Sequence, residues 1–182
     1  HPAMKAVADV RRALGIRTIF NLIGPLANPA LLTFQLVGVP EARLMRPIAE
    51  ALQALGIRHG MVVHGLDGLD EVTTTGETEV LEVRGKTLKA FRIRPEAFGV
   101  SRVSLEDLRG GDVQENARIA REVLGGRPSP KRHIVALNAG CAIYVADQTA
   151  SIPEGLAKAD ATLESGRALA LLDRVIECSR RA

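Results

Sequence analysis

Met61-Val62-Val63-His64-Gly65-Leu66-Asp67-Gly68-Leu69-Asp70-Glu71 sets the fold class of this chain. The apolar run at its start reads as a buried strand. Gly65 and Gly68 then allow a tight turn, because glycine reaches backbone angles that side chains forbid. The turn ends on two adjacent carboxylates. Hard divalent cations such as Mg²⁺ take oxygen ligands, commonly one or two carboxylates with phosphates and waters. In an α/β sheet, loops that follow buried strands carry the chemistry. The competing reading of Asp70 and Glu71 is a solvated loop pair. Asp67 has two readings as well, a further ligand or a side chain that holds the loop by bonding backbone N–H groups.

Upstream, residues 34–39 read as a strand, residues 41–55 as a helix closed by Gly56, and residues 59–64 as the strand that feeds the loop. Strand, helix and strand at this spacing form a βαβ unit, which predicts parallel pairing. Further upstream, residues 2–14 have helical spacing with Pro2 at the start and Gly15 at the end, and residues 16–22 are a β-branched strand. Residues 24–29 (Gly24-Pro25-Leu26-Ala27-Asn28-Pro29) are dense in residues that break regular structure, and form either a plain turn or a stiff wall beside a flat pocket.

Downstream, residues 78–84 and 87–93 flank Gly85-Lys86 as a β-hairpin. Residues 95–99 form a short turn or helix. Ser104 caps a brief helix over 105–108, and helices follow over 113–124 and from Ser129 or Pro130 to 146. A last helical region starts at Pro153 and breaks at Gly166.

The 182 residues suit one domain with a small appendage. Hydrophobic residues are 46% and aromatics 3%, so the core is built from Leu, Val, Ile and Ala. A net charge of +3 suits an anionic small substrate. A nucleic-acid binder needs a basic stripe and stacking aromatics, whereas here 24 basic residues face 21 acidic ones. Cys141 and Cys178 lack CxxC spacing and read as reduced thiols of a cytosolic protein, Cys141 being buried. No apolar run reaches the length of a membrane span, and residues 134–146 read as a buried helix. The chain opens on His1-Pro2-Ala3-Met4, which is expected of the C-terminal part of a longer polypeptide.

Other residues carry weaker chemistry. Arg11 and Arg12 lie on the first helix, either as solvated surface or with one guanidinium turned to a carboxylate. His59 and His64 are ligands, bases or structural groups. Asn138 is expected to satisfy a nearby backbone group. Gly110-Gly111-Asp112 is a weak phosphate-loop signal, because it lacks the established spacings. No nucleophile–base arrangement stands out. The residues alone therefore read as an α/β domain with an acidic metal-type loop and an arginine helix, suited to Mg²⁺-assisted chemistry on a phosphorylated substrate.

HPAMKAVADVRRALGIRTIFNLIGPLANPA, VVHGLDGLDEVT and LNAGCAIYVAD together resemble the C-terminal half of the anthranilate phosphoribosyltransferases, collinearly and over essentially the whole chain. The resemblance implies a nucleoside phosphorylase/phosphoribosyltransferase-like α/β fold, with a central, mostly parallel sheet flanked by helices plus a β-hairpin. Residues 1–182 then form the C-terminal part of the α/β domain. A small helical N-terminal domain, a GTGGD-type glycine turn and a KHGN-type segment are expected upstream. The implied reaction moves the phosphoribosyl group of PRPP to anthranilate, giving N-(5-phosphoribosyl)anthranilate and pyrophosphate in tryptophan biosynthesis. By the same resemblance, Asp70 and Glu71 hold Mg²⁺ on the PRPP diphosphate, and Arg11 meets the anthranilate carboxylate. His1, Gly24 and Pro25 line the anthranilate channel. The full-length enzyme is expected to be a cytoplasmic homodimer binding neither nucleic acid nor membrane.

Such chemistry needs a stabilised leaving group and a positioned amine, which agrees with the lack of a catalytic triad. With the glycine turn absent, this chain alone is expected to be inactive. Gly140-Cys141 stands where the family is usually alanine-rich and reads as a packing variant. The alternatives are a pyrimidine nucleoside phosphorylase, in which the acidic pair and Arg11 lose their purpose, and a non-catalytic nucleic-acid-binding paralogue of the same fold.

Overall fold

The computed structural model describes residues 24–28, 30 and 32–181. The helix read over 2–14 and the strand over 16–22 lie outside them. The chain divides into two compact units, His1–Thr33 and Phe34–Ala182. In the first, residues 24–26 are helical, so the stretch read as structure-breaking begins as a helix. Beyond it the Asn28 side chain accepts the Ala30 N–H at 2.9 Å, the local bond that lets Asn turn a chain.

The second unit opens with β1 (Phe34–Gly38), a 3₁₀ turn (Ala42–Leu44) and helix α1 (Met45–Ala54). Met45, Ile48, Ala49 and Leu52 are the buried face of α1, at the i, i+3, i+4, i+7 spacing of one helical stripe. Strand β2 (His59–Gly65) follows and pairs parallel with β1, Phe34 opposite His59 and Gly38 opposite Val63. All seven β2 residues are buried, as befits a strand covered on both faces.

Strands β3 (Thr78–Arg84) and β4 (Thr87–Ile93) have the bounds read from the sequence. β3 pairs antiparallel with β2, and β4 antiparallel with β3. The described sheet therefore has order β1-β2-β3-β4 with one parallel and two antiparallel pairs, not the mostly parallel sheet expected. Parallel pairing needs a crossover connection, and among the described strands only β1 and β2 are joined through a helix. Between β2 and β3 the chain turns back through a helix-free loop. Between β3 and β4 it turns at Gly85, whose φ of +54° glycine adopts freely.

A 3₁₀ turn (Pro95–Phe98) leads to helices α2 (Leu105–Leu108), α3 (Val113–Leu124), α4 (Pro130–Val145), α5 (Ile152–Glu164) and α6 (Arg167–Arg181). Each of α2 to α5 starts on a side-chain cap: Ser104, with a full capping box, then Asp112, Ser129 and Ser151. Gly166, at φ +71°, separates α5 from α6. The core lies between the sheet and α4, where Met61, Val63, Val80, Leu137, Cys141 and Val145 are buried. Burial pushes the Cys141 thiol up to about 12. Both cysteines are free, and Cys178 is exposed. The α4–α5 crossing brings backbones into contact: a Cβ on Gly140 would stand 2.6 Å from Leu156 N, and one on Gly155 2.2 Å from Gly140 O. Glycine at 140 is therefore demanded by the helix crossing. No helix of the described residues is long and apolar enough to cross a membrane.

Candidate functional site

The acidic loop leaves the end of β2 and is built by its own hydrogen bonds. Gly65 N–H donates to Leu69 O at 2.8 Å, and Gly68 N–H donates to Gly65 O at 2.8 Å. Gly68 has φ +93°, so the turn needs glycine there. The Asp67 carboxylate is the hub. It accepts the Leu69 N–H at 3.0 Å, the Thr73 hydroxyl at 2.5 Å and the Thr75 hydroxyl. Burial works to raise the Asp67 pKa, but the bonds from Thr73, Thr75 and Leu69 win and leave it below the usual carboxylate value. Of the two readings of Asp67, the structure supports the loop-holder.

Asp70 and Glu71 stand apart from this network. Both are exposed, and among the described residues neither carboxylate has a hydrogen-bond or ion-pair partner. Their backbone, in contrast, is fixed on both sides. On one side the Asp70 carbonyl lies against Gly38 at the end of β1. On the other, Asn138 of α4 pairs with both backbone groups of Val72: its Oδ1 accepts the N–H at 2.9 Å, and its Nδ2 donates to the carbonyl at 2.8 Å. The same Nδ2 donates to Ile134 O at 2.9 Å. Asn138 therefore plays the structural part expected of it, and through it α4 is tied to the backbone next to the acidic pair.

His64 also serves the scaffold, its Nδ1 donating to Val39 O at 3.0 Å across the β1–β2 ends. His59 sits at the other end of β2. Gly110-Gly111-Asp112 is no phosphate cradle. Asn116 accepts the Gly111 N–H at 3.0 Å and donates to the Gly111 carbonyl at 2.9 Å, while Asp112 caps α3 through Glu115 N at 2.8 Å. An open cavity of ≈ 460 Å³ adjoins the loop, with Leu69, Glu71, Ile119, Val123, Ile134 and Val135 among its walls. Sequence reasoning missed it, because its walls come from the loop, α3 and α4 together.

The predicted site residues divide accordingly. Asp70 and Glu71 come together on the second unit. Gly24 and Pro25 lie exposed on the first, Gly24 with open space where a Cβ would be. His1 and Arg11 lie outside the described residues. No cluster of three or more His, Cys, Asp or Glu among the described residues could enclose a metal. Two exposed, unpartnered carboxylates on a braced loop fit a hard cation that completes its shell with phosphate and water.

Residues 1–169 match the family model for the glycosyl transferase family, a/b domain. The chain is 53% identical to an anthranilate phosphoribosyltransferase of Rubrobacter xylanophilus over 182 residues, covering 100% of this chain and 53% of that protein. To one of Desulfitobacterium hafniense it is 50% identical over 175 residues, covering 96% and 52%. Among solved structures, anthranilate phosphoribosyltransferase from Thermus thermophilus superposes with a TM-score of 0.88 at 47% identity, covering 96% of this chain and 51% of that one. The Saccharomyces cerevisiae protein in complex with PRPP and Mg superposes with a TM-score of 0.90 at 30% identity, covering 100% and 53%. The chain spans about half the length of the curated relatives it matches.

Proposed function

The chain belongs to the glycosyl transferase family, as its a/b domain, and on that premise we propose that it carries the metal-binding part of an anthranilate phosphoribosyltransferase. The reaction is displacement at the anomeric carbon of PRPP. The anthranilate amine forms the new C–N bond, the C–O bond to pyrophosphate breaks, and the amine gives up one proton. The observation that carries the reading is the acidic pair: two free carboxylates on a loop whose every other polar side chain up to Thr73 is committed to holding its shape.

Asp70 and Glu71 hold Mg²⁺ against the PRPP diphosphate. The ion, when bound, offsets the charge that gathers on the departing pyrophosphate. Arg11 presents its planar guanidinium to the anthranilate carboxylate. His1, Gly24 and Pro25 line the path by which anthranilate enters. The residues need supply no general base, since the amine is already a nucleophile.

The chain corresponds to the α/β part of an anthranilate phosphoribosyltransferase and spans about half the length of the curated relatives it matches. The complete enzyme is a cytoplasmic homodimer in tryptophan biosynthesis. Half-length matches at about 50% identity to anthranilate phosphoribosyltransferases support the assignment to that reaction. The test is calorimetric titration of Mg²⁺ and PRPP into the chain and into its Asp70→Asn/Glu71→Gln form. Binding confined to the unsubstituted chain is the expected result. Equal binding by both forms would remove the acidic pair from the site.

A further inference from the structure

His59 is the first residue of β2, at the end away from the acidic loop, and its side chain is 1% exposed. Its Nε2 lies 3.0 Å from Glu82 Oε1 on β3. Its Nδ1 lies 3.0 Å from Asp147 Oδ1, in the turn that joins α4 to α5. Asp147 is the only non-glycine with positive φ among the described residues, at +53°. Each carboxylate has further donors. Glu82 Oε1 accepts the Tyr144 hydroxyl at 2.7 Å and Arg84 Nε at 3.1 Å. Asp147 Oδ2 accepts Arg58 Nη2 at 2.6 Å, and Arg84 Nη1 stands 3.6 Å from its Oδ1. The Tyr144 ring meets the imidazole edge-on at 5.0 Å. On β1, uncharged Phe34 lies under the Arg58 guanidinium. On β4, Lys89 is the register partner of Glu82 but turns its amine over Phe91.

A neutral imidazole has one donor and one acceptor nitrogen. Between two carboxylates it must aim a lone pair at one of them, a repulsive contact unless that carboxyl holds a proton. Neither carboxyl is disposed to hold one. Burial favours protonation of both, but it is outweighed at Glu82 by Tyr144, His59 and Arg84, and at Asp147 by His59 and Arg58, so both are lowered. The arginines do not replace the ring's charge. Their side chains are 66% and 48% exposed, where water screens them, while the ring is sealed between the two anions. With both ring nitrogens donating, both ring–carboxylate contacts are attractive.

We propose that His59 is doubly protonated in the native chain, a buried imidazolium that latches the α4–α5 turn to the sheet and lets go when its second proton is lost. The latch joins three segments far apart in sequence: β2, β3 and the turn carrying Asp147. It is tested on the intact, unsubstituted chain by nitrogen–proton NMR correlation of the imidazole, assigned through bonds from the His59 backbone. At neutral pH both ring nitrogens should show protonated signals; one bare nitrogen overturns the proposal. As pH is raised, amide protection at Asp147 and Gln148 should fall when the second proton leaves, after correction for base-catalysed exchange, while Leu137 keeps its protection. Unchanged protection at the turn after that proton is lost overturns the latch.

Discussion

A Cβ built on Gly38 would stand 1.5 Å from the carbonyl oxygen of Asp70. The obstructing atom is backbone, so no rotamer change relieves the overlap. Gly38→Ala therefore forces the acidic loop off the end of β1. We expect a loss of about 1–3 kcal/mol of stability, the usual range for overpacking, read by urea denaturation. The Mg²⁺-dependent PRPP binding proposed for the acidic pair should weaken at least in step. A Gly38→Ala chain with wild-type stability and binding would show that the contact does not position the pair.

Asn138 gives a second handle on the same loop. Asn138→Leu removes the side-chain partners of both backbone groups of Val72 and leaves them unsatisfied. Such a loss costs about 1–3 kcal/mol. Asn138→Asp keeps an acceptor for the Val72 N–H but has no donor for the Val72 and Ile134 carbonyls, so it should not rescue. Denaturation midpoints of the two variants decide this, and full stability in Asn138→Asp would contradict the assigned geometry.

Asp67 makes the acid limb of stability predictable in sign. Its folded pKa lies below the ordinary carboxylate value because Thr73, Thr75 and Leu69 donate to its charged form. The stabilisation is thus complete above the unfolded pKa and disappears as pH falls through the lower, folded one. Asp67→Asn should be less stable at neutral pH and should lose less stability on acidification. Parallel pH–stability curves for the two proteins would refute this.

The α4–α5 crossing predicts that Gly155→Ala destabilises by about 1–3 kcal/mol through backbone overlap, with Gly140→Ala behaving alike. Thermal unfolding reads it. Unchanged midpoints would mean that the helices can separate freely.

The two thiols should differ sharply. Cys141 is buried with its thiol pushed up to about 12, whereas Cys178 is exposed. A thiolate is the reactive form, so a thiol reagent should label one site in the native chain and two after denaturation. Rapid native labelling of both would contradict the burial of Cys141.

Much of the second unit could be read along the chain. The β3–β4 hairpin was legible because Gly85-Lys86 separates two β-rich runs, and turn chemistry of that kind acts locally. Ser104 and Ser129 marked helix starts for the same reason, since a cap bonds a backbone group three residues on. The adjacent carboxylates were visible as a candidate site because their exposure follows from residue type. Strand direction was not legible between β2 and β3: a helix-free loop permits several returns, and the choice depends on which faces find the core. The helical residues 24–26 were hidden by Gly and Pro, whose local bias favours turns.

By itself the sequence determined the element order of the second unit, its reading as part of a glycosyl-transferase-type α/β domain, and the acidic pair after β2. The element order and the acidic pair rest on neighbours along the chain, where periodicity, caps and turns act within a few residues, whereas the family reading rests on long motifs that resemble known proteins. Tertiary structure alone decided which acids are free and which are committed. Val72 meets Asn138 across 66 positions, and His59 meets Asp147 across 88. No local rule pairs such residues. Burial of the core around α4 brings them together, and only then does a polar side chain acquire the partner that makes it scaffold or site.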